Sequence, residues 1–441
     1  MKTCKILNLP ALISCCVLLL GFSKTGSNEP DLHDHDHIAL CGTPKGCVFK
    51  TVFGEESSDS SFIYNTPQNV VNSIESGLRW IATAQQNNGG WGAGSHSMQH
   101  IKDPHAVNTD PATTAMVGMA LLRTGNRLNS GTYSKQLNNA LHYLIDAVES
   151  TPKNQLKITT ETNTQIQSKL GENIDAVLTL QFFSNMMDHL DDHSDLKNRV
   201  KNCMDICADK IQKLQDHDGS LKGSGWAGVL QSALANNALE SAQYNGAKVD
   251  DDVLKRSRKY QKDNYDTRSG KVNTSKGAGI VLYSVSGSVR ASAKEARQVK
   301  EAMRKAKAEG KLGKNAKVSS ENLIEIGFSE DEALDYTTAY EIYESSKNKA
   351  QDDQVMRGFG NNGGEEFLSY MQTGESLIIN KDEGWKTWYD NISGRLIKIQ
   401  NNDGSWNGHH CITSPVFCTA TTLLTLSINN DIDKLIALGE K

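Results

Sequence analysis

The chain has 441 residues, of which 37% are hydrophobic and 6% aromatic, which is enough for a large packed core. Its formal net charge of −5 gives no overall basic field, so we expect no nucleic-acid partner. The length permits one large repeat array or two to three ordinary domains, and the repeats described below favour the single array.

The first residues are typical of a secretory signal peptide over residues 1–24. Lys2 and Lys5 precede an apolar run, and polar residues follow it. We therefore expect an exported protein, located in a periplasm, at a cell surface or in the medium. Cys15 imitates a lipoprotein acceptor site, but the apolar run continues past it. Lipid anchoring, and with it peripheral membrane association, therefore ranks second.

Residues 25–66 are rich in Ser, Asp, Gly and His and lack helical periodicity, which predicts a disordered linker. Its "HDHDH" at residues 33–37 is interpreted as a solvated run and not as a defined metal site. Residues 67–441 form the predicted repeat domain. Amphipathic segments such as "NVVNSIESGLRWIATAQ" alternate with more apolar ones such as "TTAMVGMALL", at the spacing of helices and with no sustained strand pattern. This part of the sequence predicts an all-α fold.

One motif occurs three times, at residues 80–94, 210–223 and 395–408. Each copy has Ile or Leu, three residues, Gln, three residues, Gly, one residue, and then Trp or Leu. A Gln amide can bond the unpaired backbone groups at a helix end, and an indole can cover the junction. We therefore predict a structural role for the motif residues, which are Trp80, Gln85, Trp91, Gln215, Gln400 and Trp406.

This motif resembles the repeat of squalene and hopene cyclases. The first copy matches the pattern in full, with Gly77, Trp80, Ile81, Gln85, Gly89 and Trp91, while the later copies match in part. The chain thus resembles the terpenoid cyclase and protein prenyltransferase superfamily. That resemblance implies an α/α toroid, in which an inner and an outer ring of helices surround a central cavity.

The resemblance also implies chemistry, from which this sequence departs. Hopene-type cyclases protonate an alkene with an Asp in an Asp-x-Asp-Asp-Thr-Ala motif, whereas residues 110–115 read "DPATTA" and place Ala112 at the acid position. We therefore expect no protonation-driven cyclisation. Prenyltransferases bind zinc through an Asp-x-Cys pair and a distant His, which here would be Asp205 and Cys207 with His409 or His410. Zinc is accordingly a candidate cofactor, but its presence stays open.

Closure of a toroid would bring its first and last repeats together, so the loops after Trp91 and Trp406 should meet at one rim. Imidazole groups beside a carboxylate suit a metal site or acid–base chemistry. We predict His410 and Asp110 as an acid–base pair. The other predicted rim residues are His96, His100, His105, His409 and Glu365.

Six of the nine cysteines lie beyond the leader. An even number in an oxidising compartment suggests disulfides, and Cys41 with Cys47, or Cys411 with Cys418, could close short loops. Cys203 and Cys207 lie four residues apart in a helical segment, so they remain thiols, pair elsewhere or bind metal.

The leading functional hypothesis is an exported protein that binds or processes an apolar or extended ligand in its central cavity. One alternative is an α/α-barrel enzyme that acts on a polysaccharide, or depends on a metal, and uses the His-rich rim. Another is a non-catalytic scaffold. Carboxylates on the inner helices would favour the glycan enzyme, an aromatic-lined cavity the isoprenoid ligand, and a filled hole the scaffold.

Overall fold

A computed structural model describes residues 64–152, 154–191, 193–360 and 362–440. The predicted signal peptide, almost all of the predicted linker, Cys41 and Cys47 lie outside the described residues. Within these residues the chain forms sixteen α-helices, four short 3-10 helices and one two-stranded hairpin. The predicted all-α class is confirmed.

Six helices form an outer layer, and most of them bury one apolar face. In the first, Val70, Ile74, Leu78 and Ile81 recur at three- and four-residue spacing and are buried. The outer helices are α1 (Gln68–Thr83), α3 (Ser134–Glu149), α6 (Ser194–Lys213), α8 (Asp251–Asp263), α11 (Glu330–Ala350) and α14 (Trp385–Lys398).

Six inner helices follow these outer helices in alternation and are far more completely buried. Every residue of the first and of the last inner helix is buried, as expected for helices that are surrounded by other helices. The inner helices are α2 (Pro111–Arg123), α5 (Ile174–Met186), α7 (Gly228–Tyr244), α9 (Val281–Ala308), α13 (Gly364–Ile379) and α15 (Pro415–Leu426).

The inner helices form a closed ring. In chain order each packs against the next, and α15 packs back against α2. The outer helices pack on the outside of this ring, with α1 against α15, α6 against α5 and α11 against α9. This arrangement is the α/α toroid that the resemblance implied.

The motif glutamines join each outer helix to the next one. The amide of Gln85 donates a hydrogen bond to a carbonyl of α3, that of Gln215 to a carbonyl of α8, and that of Gln400 to the Ser73 carbonyl of α1, at 2.8 to 2.9 Å. The bond from Gln400 connects the last outer helix, α14, to the first outer helix, α1. Each accepting carbonyl lies within a helix, so the amide adds a second donor to a backbone oxygen that has two lone pairs.

The motif tryptophans close the junction between an outer helix and the inner helix that follows it. Trp91 Nε1 donates to the Ile81 carbonyl at 2.9 Å, and Trp406 Nε1 donates to the Leu396 carbonyl at 2.8 Å. Both indoles are fully buried. The polar indole atom is thus satisfied while the ring fills the core, which suits tryptophan.

The motif glycines are required by the backbone. Gly89, Gly219 and Gly404 have φ of +87°, +88° and +94°. A Cβ at these positions would lie 2.8, 2.2 and 2.6 Å from a backbone oxygen of the next outer helix. Only glycine combines positive φ with so close an approach. The spacing of the motif therefore reflects how one helix pair docks onto the next.

The remaining elements lie between or beyond the pairs. They are α4 (Gln165–Lys169), β1 (Tyr265–Asp266) antiparallel to β2 (Lys271–Val272), α10 (Ser320–Glu325), α12 (Asp353–Met356), α16 (Ile432–Glu440), and 3-10 helices at His96–Met98, Pro104–Ala106, Met187–His189 and Ile428–Asp431. In the part of the chain that the structure describes, no helix is long and apolar enough to cross a bilayer.

Candidate functional site

The interior of the ring is nearly filled. A cavity of about 50 Å³ remains between the inner helices and α16, lined by residues that include Met116, Leu234, Met371 and Leu435. Ligand pockets commonly have volumes of roughly 300 to 1,000 Å³. An extended apolar ligand therefore does not fit the ring interior in this conformation.

Ion pairs hold the C-terminal segment over this end of the ring. The Arg123 guanidinium, at the end of α2, bonds Glu375 of α13 at 2.7 Å and also bonds Asp431, just before α16. Arg297 donates to the Ile436 carbonyl at 2.7 Å. These contacts tie α16 to α2, α9 and α13.

The opposite end of the ring, where the inner helices begin, brings the predicted rim loops together. Gln99 donates to the Cys411 carbonyl, and the Thr413 hydroxyl donates to the Gln99 carbonyl at 2.9 Å. The Gln165 amide of α4 donates to the Ala93 carbonyl at 2.9 Å and accepts from the Thr413 amide at 2.8 Å. Helix α4 thus links the first and last repeats. We call this end the rim.

Two adjacent glutamates, Glu365 and Glu366, lie in the first turn of α13 at the rim. Of the two, Glu366 accepts the larger number of hydrogen bonds. It accepts hydrogen bonds from the Tyr283 hydroxyl, the Phe359 amide at 3.1 Å and the Gly363 amide at 2.9 Å. His410 Nε2 lies 3.8 Å from the second Glu366 oxygen. Glu366 is completely buried and acts as an anchor for these groups.

Glu365 has a different environment. It is 1% exposed, and burial, followed by repulsion from Glu366, raises its pKa to about 8. One oxygen accepts a bond from the Ile412 amide at 3.2 Å, while Oε1 accepts no N–H or O–H hydrogen bond from any described residue. Glu365 is therefore mostly protonated at pH 7. A neutral carboxyl beside a partner that accepts several hydrogen bonds is the arrangement that separates an acid from a base.

Cys411 lies beside Glu365. Its thiol is partly exposed, and burial, followed by the Glu365 carboxyl, raises its pKa to about 12. Its backbone φ is +56°, which is uncommon for a residue with a side chain and is frequent at functional sites. The thiol stays protonated at neutral pH, so it is not poised as a nucleophile.

The predicted Cys411–Cys418 disulfide is not formed. Cys418 is a buried thiol that contacts the Ile412 carbonyl at 3.5 Å, and Cys411 faces Glu365 instead. Cys203 and Cys207 are buried thiols on α6. The four described cysteines are thus free thiols in the structure.

Lys169, the last residue of α4, lies at the rim and is only 8% exposed. Its charge acts on Glu365, Cys411 and His96, which places the ammonium group among them. Among the described residues no carboxylate forms an ion pair with it. Its Nζ lies 4.8 Å from the ring centroid of Trp226, which is 59% exposed.

The predicted pairing of His410 with Asp110 is wrong, because Asp110 caps α2. Its carboxylate accepts bonds from the Thr113 amide at 2.7 Å, the Ala93 amide at 2.8 Å and the Thr113 hydroxyl at 3.0 Å. Burial and neighbouring Asp175 raise its pKa to about 7. The carboxylate beside His410 is that of Glu366.

The predicted zinc ligands are not brought together. Asp205 and Cys207 lie on α6, which packs against α5, α3 and α7, whereas His409 and His410 precede α15 on another side of the ring. Cys207 is fully buried, and Asp205 accepts a bond from the Lys248 amide at 3.3 Å. Within the described ranges no group of three His, Cys, Asp or Glu side chains is positioned for a metal.

The other predicted rim histidines are dispersed over the first and last loops. His96 is exposed and bonds the Gln99 amide through Nδ1 at 3.2 Å, while His105 contacts the Thr83 carbonyl at 3.1 Å. His100 and His409 are exposed. Of the predicted rim residues, Glu365 and His410 lie beside the buried carboxyl group of Glu366.

Three residues of this site were missed in the sequence: Lys169, Trp226 and Tyr283. Trp226 follows the second motif copy, just as the His-rich loops follow the first and last copies, so a search after every copy would have found it. Nothing in the sequence around Lys169 or Tyr283 indicates their position, since distant segments bring them to the rim.

No protein-family model matches the sequence, and no curated protein matches it. Among solved structures the chain is similar to a variant of the type II terpene cyclase MstE from Scytonema, determined in complex with its substrate geranylgeranyl dihydroxybenzoate. The two share 12% identity with a TM-score of 0.44, over 83% of this chain and 98% of that one.

Proposed function

We propose that the protein is an acid–base enzyme that cleaves glycosidic bonds of an extended glycan at the rim. The observation that carries this proposal is Glu365, a buried carboxyl whose pKa is about 8 and whose Oε1 has no N–H or O–H donor among the described residues. A carboxyl group that holds its proton at neutral pH can donate it as a general acid.

The acidity of Glu365 helps to select the reaction. Adding a proton to an alkene requires a strong acid, and a carboxyl with a raised pKa is a weak one. Donation to the leaving oxygen of a glycosidic bond is instead performed by carboxyl groups with raised pKa values. Glu365 thus supports glycan chemistry over terpenoid cyclisation.

His410 supplies the complementary base. Its imidazole is partly exposed, with 16% side-chain exposure, and its Nε2 lies 3.8 Å from the buried Glu366. A buried carboxylate next to an imidazole can orient the ring. In hydrolysis, His410 would accept a proton from the water that attacks the anomeric carbon, while Glu365 would donate its proton to the leaving oxygen as the bond from that oxygen to the anomeric carbon breaks.

The exposed aromatic rings near these groups suit a sugar chain. Phe359 is 54% exposed and its ring centroid lies 5.1 Å from that of His410, while Trp226 is 59% exposed beside Lys169. Flat apolar faces next to polar groups are typical of sites that orient a ligand. The nearly filled ring interior, in turn, favours a substrate that lies across the rim.

Glycan turnover by wild type and Glu365→Gln tests this proposal. Release of reducing ends from a panel of neutral and acidic polysaccharides should fall by about 100-fold or more in the variant, because a positioned general acid contributes that much. Glu330→Gln, an exposed change on α11, is the matched control and should retain full activity. Equal turnover by wild type and Glu365→Gln would refute the assignment of the acid.

A non-catalytic scaffold is the second candidate, favoured by the nearly filled ring of about 50 Å³. It predicts that wild type, Glu365→Gln and Glu330→Gln are equally inactive on every polysaccharide of the panel.

We also propose that the protein is exported, with residues 1–24 removed. The basic residues and apolar run at the start of the sequence support this. The intact mass of protein recovered from outside the cytoplasm would test it, since an uncleaved chain would retain the mass of the leader.

A further inference from the structure

We propose that Lys169 and Trp226 form a subsite for an anionic sugar residue, with its acidic group on the Lys169 ammonium and its ring against the Trp226 indole. The subsite rests on the proposed glycan activity and specifies the class of substrate.

The first reason is the isolation of Lys169. The residue is 8% exposed, and no described carboxylate forms an ion pair with it. Removing an ammonium group from water is costly unless a counter-charge is supplied. The nearby carboxyl of Glu365 is mostly protonated at pH 7 and supplies little of that charge. An anionic group of the ligand would supply it.

The second reason is the field around Lys169. The inner helices α2, α5, α7, α13 and α15 begin at this end of the ring, so their positive dipole ends lie there. Lys102 adds a cation that donates to the Thr413 carbonyl at 2.9 Å. The carboxyl groups of Asp110, Asp175 and Glu366 offset the dipole ends of α2, α5 and α13, whereas α7 and α15 have no acidic residue in their first turn. The two remaining helix ends and Lys102 have the same sign as Lys169 and favour an anion over a neutral ligand.

The third reason is the position of Trp226. The Lys169 Nζ is 4.8 Å from the centre of its ring, and the backbone holds this pair in place, since the Trp226 amide donates to the Ser168 carbonyl at 3.2 Å. An indole 59% exposed to solvent presents an apolar face next to a charge. A sugar ring that carries a carboxylate or a sulfate has the complementary shape.

Isothermal titration of the full-length chain with three probes tests the subsite. Oligogalacturonate offers carboxylates, dextran sulfate offers sulfate esters, and dextran offers neither. We expect an anionic probe to bind and dextran to bind at least about 10-fold more weakly, because a charge-assisted hydrogen bond contributes that much. Binding of oligogalacturonate alone assigns a uronate, and binding of dextran sulfate alone assigns a sulfate ester.

Matched variants separate this subsite from general electrostatics. Lys169→Met and Trp226→Ala should each weaken binding of the anionic probe by about 10-fold or more. Lys255→Met removes the same charge from the exposed face of α8 and should bind like wild type. Equal affinity of Lys169→Met and Lys255→Met, equal binding of dextran, or no binding of any probe would overturn the subsite.

The measurements distinguish failure of the proposed subsite from failure of the proposed glycan activity. Glu365→Gln should keep the affinity for the anionic probe while losing turnover. Lys169-dependent binding without turnover by wild type would reject the enzyme and retain the subsite. Turnover of a neutral glycan that Lys169→Met does not change would reject the subsite and retain the enzyme.

Discussion

Replacing Glu365 by Gln should change how the stability of the protein depends on pH. The pKa of Glu365 is raised from 4.5 to about 8 in the folded protein, mainly because the carboxyl is buried. The unfolded chain therefore loses this proton at lower pH than the folded chain does. The stability that Glu365 contributes is full below about pH 4.5 and is lost as the pH rises toward 8. A Gln side chain keeps the shape but cannot ionise.

The magnitude follows from the shift. Each pH unit between the two pKa values costs about 1.4 kcal/mol. Between pH 5 and pH 8 the wild type should therefore lose about 4 kcal/mol of unfolding free energy relative to Glu365→Gln. Above about pH 9 the difference between the two proteins should stay constant, because Glu365 is then ionised in both the folded and the unfolded wild type.

Urea unfolding at pH 5, 6, 7 and 8 measures this difference. Glu330→Gln, on an exposed part of α11, serves as the control and should follow the wild type at every pH. A difference between wild type and Glu365→Gln that does not change with pH would mean that Glu365 is ionised in the folded protein. That result would also remove the basis for its role as a proton donor.

Three further changes test the fold and the rim. Trp406→Ala should lower the unfolding free energy by about 3 to 5 kcal/mol, measured by urea unfolding, because the indole is fully buried; a loss below about 1 kcal/mol would contradict this packing. Gln400→Ala should lower the unfolding free energy by about 1 to 3 kcal/mol in the same assay, because it leaves the Ser73 carbonyl without its side-chain donor. An unchanged urea midpoint would show that this hydrogen bond does not hold the ring closed. Among the four described thiols, Cys411 should react first with iodoacetamide, read by peptide mass spectrometry, because the other three are buried; earlier labelling of any of those three would be inconsistent with the packing.

The predicted acid–base pair of His410 and Asp110 shows why the partner of a site residue could not be found from the sequence. Asp110 matches one position of a cyclase motif. Its carboxylate, however, accepts three hydrogen bonds where α2 begins. Asp followed by Pro is also a common way to begin a helix, and the structure follows that local pattern. The partner of His410 had to come from α13, which no spacing in the sequence connects to it.

The sequence by itself determined the repeating architecture. The positions of Gln, Gly and Trp in each motif copy depend on short-range geometry: a helix end, a turn with positive φ, and an indole that covers the junction. Short-range geometry repeats whenever the spacing repeats, so the helix pairs could be predicted from it, whereas the ring and its meeting rim loops were implied by the family resemblance.

Only the tertiary structure decided the chemical state of the site. The proton on Glu365 depends on burial, on its neighbour Glu366, and on Ile412 and Lys169, and the last two belong to other segments of the chain. The lack of an ion-pair partner for Lys169 among the described residues likewise depends on which carboxylates the fold brings near it. Burial and charge contacts sum over groups far apart in the chain, and for that reason the residue types alone could not reveal them.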